Sequence, residues 1–347
     1  MNISETEIAS LGEFGLIDHL TKDVEIKNES TIKAVGDDAA VLRYADRETL
    51  VTTDLLLEGI HFNLTYYPLK HLGYKAAVVN FSDIYAMNGT PRQITVSIGV
   101  SKRFTVEHIE ELYAGIKLAC QIYGVDLVGG DTSASVTGLI ISITCVGDAA
   151  KGDVVYRSGA RDTDLICVSG DLGAAYMGLQ LLERERVVSK DAEPDFHPAF
   201  EGREYLLERQ LKPEARKDVV EELRSIGVRP TAMMDVSDGL SSELLHICKA
   251  SNVGCRIYEE RIPIDYQTAC MAEELSMNLV TAALNGGEDY ELLFTVPLVD
   301  HEKVAQMKTA KIIGRITKPE LGSCLETRDG NELPIRAQGW NAFSEQN

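Results

Sequence analysis

Six apolar runs in this chain each lead into a carboxylate set among glycines or hydroxyls. They reach Gly36-Asp37-Asp38, Thr52-Thr53-Asp54, Ser82-Asp83, Gly129-Gly130-Asp131, Asp235-Val236-Ser237-Asp238-Gly239 and Gly286-Gly287-Glu288-Asp289. A strand buried on its apolar residues holds polar donors rigidly at its end, whereas unpaired buried carboxylates are costly. The repetition therefore constrains the fold: several strand ends must meet where something neutralises their charge. One acidic turn is a common surface feature, but six placed alike read as a single site. The organising stretch is Leu50-Val51-Thr52-Thr53-Asp54, a short apolar strand ending on two hydroxyls and a carboxylate before running on through Leu55 to Phe62. Such hard oxygen donors suit Mg²⁺, which keeps part of its water shell.

At 347 residues the chain is long for one domain and is expected to form two, divided near residue 150. Hydrophobic residues make up 44%, ample for a core. A net charge of −20 argues against general nucleic-acid binding, which needs a basic face. It also sets a problem for a phosphate-bearing substrate, since anion meets anion; bound divalent cations resolve it by inverting the local field. The seven cysteines are odd in number, scattered and without a C-x-x-C pair, as expected of buried reduced thiols in a cytoplasmic protein. The acidic start from Met1 to Glu7 lacks the order of a signal peptide, and no apolar run approaches membrane-spanning length.

Glu7 to Leu20 is spaced as a short amphipathic helix, followed by a polar loop from Lys22 to Ser30. A strand from Thr31 to Val35 meets Gly36-Asp37-Asp38, where two adjacent carboxylates cannot both face one small pocket. Asp38 is the expected ligand and Asp37 its supporting neighbour. His61 follows the presumed metal strand and is placed to contact a substrate phosphate, although a histidine beside apolar residues is commonly just packed. Leu72 to Phe81 reads as a helix in which Ala76 and Ala77 allow close packing. Asp83 beyond it lies among Phe81, Ile84, Ala86 and Met87, so a metal is expected to compensate a buried carboxylate.

Gln93 to Val100 reads as a strand and Val106 to Tyr123 as an amphipathic helix. Val125 to Thr132 is a strand entering a glycine turn, where Gly129 and Gly130 let backbone N–H groups approach a phosphate and Asp131 holds its metal. A strand from Gly138 to Gly147 closes the first domain. In the second, Arg157 offers a bidentate phosphate donor, and Leu165 to Val168 is a strand. Glu183 to Glu208 reads as a charged, irregular, exposed excursion. Ala232 to Leu240 gives strand, acidic turn and helix. Asp235 and Asp238, beside that helix's free N–H groups, are candidates to hold metal next to phosphate; an N-cap role for Ser237 or Asp238 is the alternative. Leu284 to Phe294 runs from a glycine turn into a strand, and the single tryptophan, Trp340, is either a tail anchor or a flat wall for a ring.

In this order the motifs resemble the thiamine-monophosphate kinases, of the ATP-binding superfamily typified by aminoimidazole ribonucleotide synthetase. The resemblance runs from Gly36 to Trp340, and its most specific carrier is Gly286-Gly287-Glu288-Asp289-Tyr290-Glu291-Leu292. It implies an α/β (α+β) fold of two aminoimidazole ribonucleotide synthetase-like domains. Residues 1–150 would form an N-terminal mixed sheet with helices that binds ATP and metal and builds a homodimer. Residues 151–347 would form a C-terminal α/β domain completing the active site. The implied reaction is Mg²⁺-dependent transfer of the terminal phosphoryl of ATP to thiamine monophosphate, giving thiamine diphosphate and ADP. By motif match, Asp38, Thr52, Thr53, Asp54, Asp83, Asp131 and Asp235 would hold several Mg²⁺ ions, and Asp238 another. Tyr113, Gly130, Asp131, Arg157 and Ser237 would contact the nucleotide, and His61, Glu288 and Trp340 thiamine monophosphate. Asn88 and Asn285 stand where the family has glycine and serine, and the excursion from Glu183 to Glu208 is longer than typical.

The implied chemistry suits these residues. A phosphate monoester has a second pKa near ~6, so the acceptor is largely dianionic at neutral pH and needs no general base. What it needs is cancelled repulsion and in-line alignment, and no covalent phospho-enzyme is expected. The rivals are other ATP-dependent synthetases of this superfamily and a non-catalytic nucleotide or metal sensor. Selenophosphate synthetases need a reactive cysteine or selenocysteine near the N-terminus, whereas the first cysteine here is Cys120. Hydrogenase-maturation relatives use a C-terminal cysteine, but this chain ends Glu345-Gln346-Asn347. Amidine-forming synthetases of purine biosynthesis do not look alike across Gly286 to Leu292. A sensor would have lost ligands, and none of the six acidic stations is broken.

Overall fold

The computed structural model describes residues 31–33, 36–190 and 200–338. The expected helix from Glu7 to Leu20, the loop to Ser30, Val35, Trp340 and Phe343 lie outside these residues. The first half places β1 (Thr31–Lys33), β2 (Ala40–Tyr44), β3 (Arg47–Leu57), β4 (Thr90–Val100), β5 (Asp126–Ala134) and β6 (Ile140–Ala150) in one sheet. Its order is β1-β2-β3-β6-β4-β5, antiparallel except for β4 beside β5. Side chains alternate across it with the period of a strand: Leu50, Thr52 and Leu56 are buried, whereas Thr53 and Leu55 are exposed.

Two helices cover the buried face, α1 (Leu69–Ala86) and α2 (Val106–Tyr123). Pro68 precedes α1, and a reciprocal box between Thr105 and His108 opens α2. α1 is buried on nearly every side, as expected of a helix between a sheet and other layers. Its crossing with α2 depends on paired glycines rather than on Ala76 and Ala77. A Cβ on Gly73 would lie 1.9 Å from the Leu112 carbonyl, and one on Gly115 1.9 Å from that of Lys70. Burying Lys75 and Ser82 in such a helix demands partners, and they are found in the second half, whereas the buried Asn80 donates to the Ala76 carbonyl of its own helix.

Two expectations change here. β3 does not end at Asp54; it pairs with β6 through Leu57 opposite Ile140, so Thr52 and Asp54 lie mid-strand. Gly129 and Gly130 form no turn but lie inside β5, opposite Thr95 and Val96. A Cβ on Gly130 would fall 2.0 Å from the Val96 carbonyl, so the neighbouring strand demands glycine there.

The second half contains β7 (Leu165–Ser169), α3 (Ala174–Lys190), α4 (Glu204–Leu211), α5 (Lys217–Ser225), β8 (Ala232–Asp235), α6 (Leu240–Ser251) and β9 (Gly254–Tyr258). It continues with α7 (Tyr266–Glu274), α8 (Leu279–Asn285), β10 (Leu292–Val296), α9 (His301–Val304), β11 (Ala310–Thr317), β12 (Ser323–Glu326) and β13 (Glu332–Pro334). The sheet order is β13-β12-β9-β11-β7-β10-β8, antiparallel except for β12 beside β9. Both ends of the expected excursion are helical, Glu183–Lys190 in α3 and Glu204–Glu208 in α4. Its charges find partners within it, as in Arg186 with Glu183 and Arg184 with Glu185, or on α7, as in Arg184 with Glu274, so they accompany helix rather than loop.

One apolar cluster joins Leu50, Leu72, Phe81 and Ile141 of the first half to Cys167, Met233 and Phe294 of the second sheet. A second cluster, around Val168, Met234, Leu244 and Ile313, lies between that sheet and α6. The shared core presses α1 against β8 and sets the acidic stations of both halves side by side.

Candidate active site

Asp38 leaves the bend before β2, Asp83 projects from α1, and Asp235 ends β8. Each offers a carboxylate oxygen, and these oxygens lie within 4.8 Å of one another. Hydroxyls from adjoining residues fix their orientation. Thr52 Oγ1 donates to Asp83 Oδ2, and Ser82 Oγ donates to Asp235 Oδ2 at 2.6 Å. Asp54 shares the inner face of β3 with Thr52, and its Oδ2 is buried without a hydrogen-bond partner among the described residues. Burial raises Asp54 to about 6. Burial, then Asp38, raises Asp235 to about 7. Burial together with the charges of Asp54, Asp235 and Asp38 lifts Asp83 well above the usual carboxylate range.

Carboxylates held together against burial and repulsion form a site for a hard cation. The orphaned Asp54 oxygen and the all-oxygen donor set of Asp38, Asp54, Asp83, Asp235 and Thr52 fit Mg²⁺. Among the described residues one cation touches the group: Arg157 grips Asp38 with Nε to Oδ2 at 2.9 Å and Nη2 to Oδ1 at 2.8 Å. Its backbone N–H also donates to Asp37 Oδ1 at 3.1 Å. Arg157, expected on the nucleotide, thus lies against the clustered carboxylates in this structure.

The other expected residues divide. Thr53 is a correction, because its side chain leaves the opposite face of β3. Its hydroxyl donates to the Ile143 carbonyl at 3.1 Å and accepts from Thr144 Oγ1. The two-residue period that unites Thr52 with Asp54 excludes Thr53. Asp131 is exposed on the edge strand β5, and among the described residues neither it nor Asp238 joins the carboxylate cluster. Neither Ser237 nor Asp238 caps α6; the cap is Gly239, while the Asp238 N–H donates to Glu243 Oε1 at 3.2 Å. Tyr113 is half-buried against the core from α2. His61 Nδ1 accepts from the Leu57 N–H at 3.0 Å, which leaves Nε2 as the donor of the neutral ring. Partial desolvation lowers the pKa of His61, with Glu288 opposing.

The Gly286–Leu292 segment forms a second acidic group whose charges are met by residues absent from the sequence reading. Glu288, at φ +57°, donates its N–H to the Ser237 carbonyl at 2.6 Å, which ties this loop to the Asp235 turn. Lys75 Nζ lies 3.0 Å from Glu288 Oε1, and Gln210 Nε2 donates to Oε2 at 2.8 Å. Glu291 meets Arg209 at 2.9 Å, and also Arg216 and the Ser169 hydroxyl. Asp289 accepts from the Gly173 N–H at 2.9 Å near the start of α3; burial raises it to about 7 while Arg209 pulls it down. Lys75 had a sequence signal, being the only basic residue between Leu72 and Tyr85. Arg209, Gln210 and Arg216 had none, since they lie just beyond the Glu183–Glu208 segment, in a stretch to which no motif drew attention.

Comparison with known proteins agrees with this architecture. The N-terminal domain of AIR synthase related proteins matches residues 36–149, and their C-terminal domain matches residues 150–323. The chain therefore belongs to the AIR synthase related proteins. The thiamine-monophosphate kinase of Aquifex aeolicus (strain VF5) is 38% identical over 336 residues, covering 97% of this chain and 99% of that protein. That of Bacillus subtilis (strain 168) is 34% identical over 96% of this chain and 100% of that one. The solved structure of AaThiL complexed with AMPPCP and TMP superposes with a TM-score of 0.84 at 35% identity, covering 98% of this chain and 100% of that one. Within the larger class, the chain belongs to the thiamine-monophosphate kinase family.

Proposed function

We propose that this protein transfers the terminal phosphoryl of ATP to thiamine monophosphate, giving thiamine diphosphate and ADP. The observation that carries this reading is the buried group of Asp38, Asp83 and Asp235 at the junction of the two halves. The full-length likeness to a structure described as holding AMPPCP and TMP supports the substrate pair. Residues 1–150 supply most of the nucleotide and metal ligands in this reading, and residues 151–347 complete the acceptor side.

Asp38, Asp54, Asp83 and Asp235, with Thr52, would hold Mg²⁺, which when bound supplies the positive charge that lets two polyphosphates approach. Asp238 and Asp131 are proposed to complete the metal set as the nucleotide arrives. Tyr113, Gly130, Asp131, Arg157 and Ser237 hold the nucleotide. The His61 Nε2–H is aimed at the acceptor phosphate, and Glu288 with Trp340 receives the cationic ring. No side chain needs to remove a proton, because the acceptor phosphate is already ionised.

The proposed assembly is a homodimer through the face of the first sheet that α1 and α2 leave open, where Leu55 is 52% exposed. The proposed compartment is the cytoplasm, where the seven free cysteines remain reduced. No described helix is long and apolar enough to cross a membrane. The test is an ATP-dependent conversion assay with thiamine monophosphate and, in parallel, free thiamine, each with and without Mg²⁺. Mg²⁺-dependent thiamine diphosphate from the monophosphate alone is expected. ATP binding without product from either acceptor would overturn the reading in favour of another synthetase or a sensor.

A further inference from the structure

Lys75 is the most deeply buried cation of α1, with 3% of its side chain exposed, and its ammonium faces the opposite half of the molecule. A buried ammonium persists only with charged and polar partners. Its partners are Glu288 Oε1 at 3.0 Å and the Gln210 carbonyl at 3.2 Å, while the Tyr67 ring centroid lies 5.7 Å away. Tyr67 in turn donates its hydroxyl to the same Gln210 carbonyl at 3.1 Å. The Gln210 side chain closes the circuit by donating to Glu288 Oε2 at 2.8 Å. Both carboxylate oxygens of Glu288 are thus held, yet 32% of its side chain remains open to solvent. A half-open carboxylate gripped from behind by two buried residues is arranged to present one orientation outward.

We propose that Lys75 and Gln210 are positioning residues that set Glu288 for the acceptor, and that Lys75 links this acceptor end to the metal end of the site. The link is α1 itself: Lys75 and Asp83 are eight residues apart on this buried helix, about 12 Å along its axis. The helix therefore fixes the distance between the carboxylate that meets the cationic ring and the carboxylates that meet the phosphates. The Lys75 ammonium also offsets the charge Glu288 shows to the acceptor, so recognition there relies on direction more than on charge. The inference rests on Glu288 contacting thiamine monophosphate.

The experiment is steady-state kinetics of Lys75→Met, Lys75→Arg, Gln210→Leu, Glu288→Gln and Lys75→Met/Glu288→Gln, each confirmed as folded by thermal melting. Lys75→Met and Gln210→Leu are expected to raise the KM for thiamine monophosphate about tenfold, the loss of one charge-assisted contact. The KM for ATP and kcat should stay within about twofold. Lys75→Arg should recover most of the change, and the double variant should be no worse than Glu288→Gln alone. A raised KM in Glu288→Gln with native values in Lys75→Met and Gln210→Leu overturns the positioning role and leaves Glu288 as the contact. A native KM in Glu288→Gln overturns the contact itself, and the positioning role with it. If Lys75→Met does not fold, Gln210→Leu decides by the same criteria.

Discussion

Asp235 ends β8 and Glu291 immediately precedes β10, the strand paired with it, and the two are 4% and 1% exposed. Glu291 meets two guanidiniums and a hydroxyl, whereas Asp235 meets one hydroxyl and three neighbouring acids, with the nearby Arg157 already held by Asp38. The first arrangement is internally neutral and so stabilises a loop. The second stores repulsion that Arg157 offsets only in part and that a cation from outside can remove. Burial alone therefore does not mark an active-site acid here; burial among more like charges than the one internal arginine can offset does.

The sharpest way to break this comparison is to delete one carboxylate from each region. Asp235→Asn should lower turnover by about three orders of magnitude, since it removes a ligand from the charge that aligns both phosphates. The same change should stabilise the metal-free protein at pH 8 by an amount on the order of 1–3 kcal/mol, because Asp235 no longer has to ionise while buried. Thermal melts with and without Mg²⁺ beside turnover numbers check both. Glu291→Gln should act oppositely, destabilising the fold by about 1–3 kcal/mol, because Arg209 and Arg216 lose the carboxylate they share and keep only Asp289 and Asp218. Equal melting shifts for the two variants would erase the distinction.

A smaller effect should appear on titration. The pKa values of Asp54 and Asp235 are raised in the folded state, to about 6 and about 7. Folding therefore takes up protons: their contribution to metal-free stability is fully present below the unfolded carboxylate pKa and is lost as pH rises through about 6 to 7. Mg²⁺ competes with the same protons, so its affinity should rise over that window by up to about tenfold per pH unit per displaced proton. Calorimetric Mg²⁺ titrations at pH 5.5, 6.5 and 7.5 measure this, and a flat affinity would contradict the raised values. The least effect is expected from Ser82→Ala, which removes one hydrogen bond to Asp235, worth about 0.5–1.5 kcal/mol. A several-fold loss of turnover with an unchanged melting temperature would fit a hydroxyl that orients a ligand.

Much of the site could be read before any coordinates. Asp38, Asp83 and Asp235 were each singled out from a local pattern, and Asp54 with Thr52 from the strand that carries them. α2 has the bounds that its apolar spacing predicts, Val106 to Tyr123. Thr53 was misassigned because adjacent hydroxyls look equivalent along a chain, whereas a strand sends them to opposite faces. Gly129 and Gly130 were misread because glycine serves both turns and crowded strands, and only the 2.0 Å approach of the Val96 carbonyl tells them apart. The segment from Glu183 to Glu208 looked like surface because its charges had no visible partners.

The sequence by itself determined the family, the acidic stations and most of the elements, because motifs and periodicities act between residues close along the chain. Only the tertiary structure decided which charges are neutralised and which are not. Lys75 reaches Glu288, and Arg209 and Arg216 reach Glu291, across long separations that no local spacing encodes. A carboxylate's role in this protein depends on the nearest opposite charge in space, and that neighbour is set by how α1 packs against the second sheet.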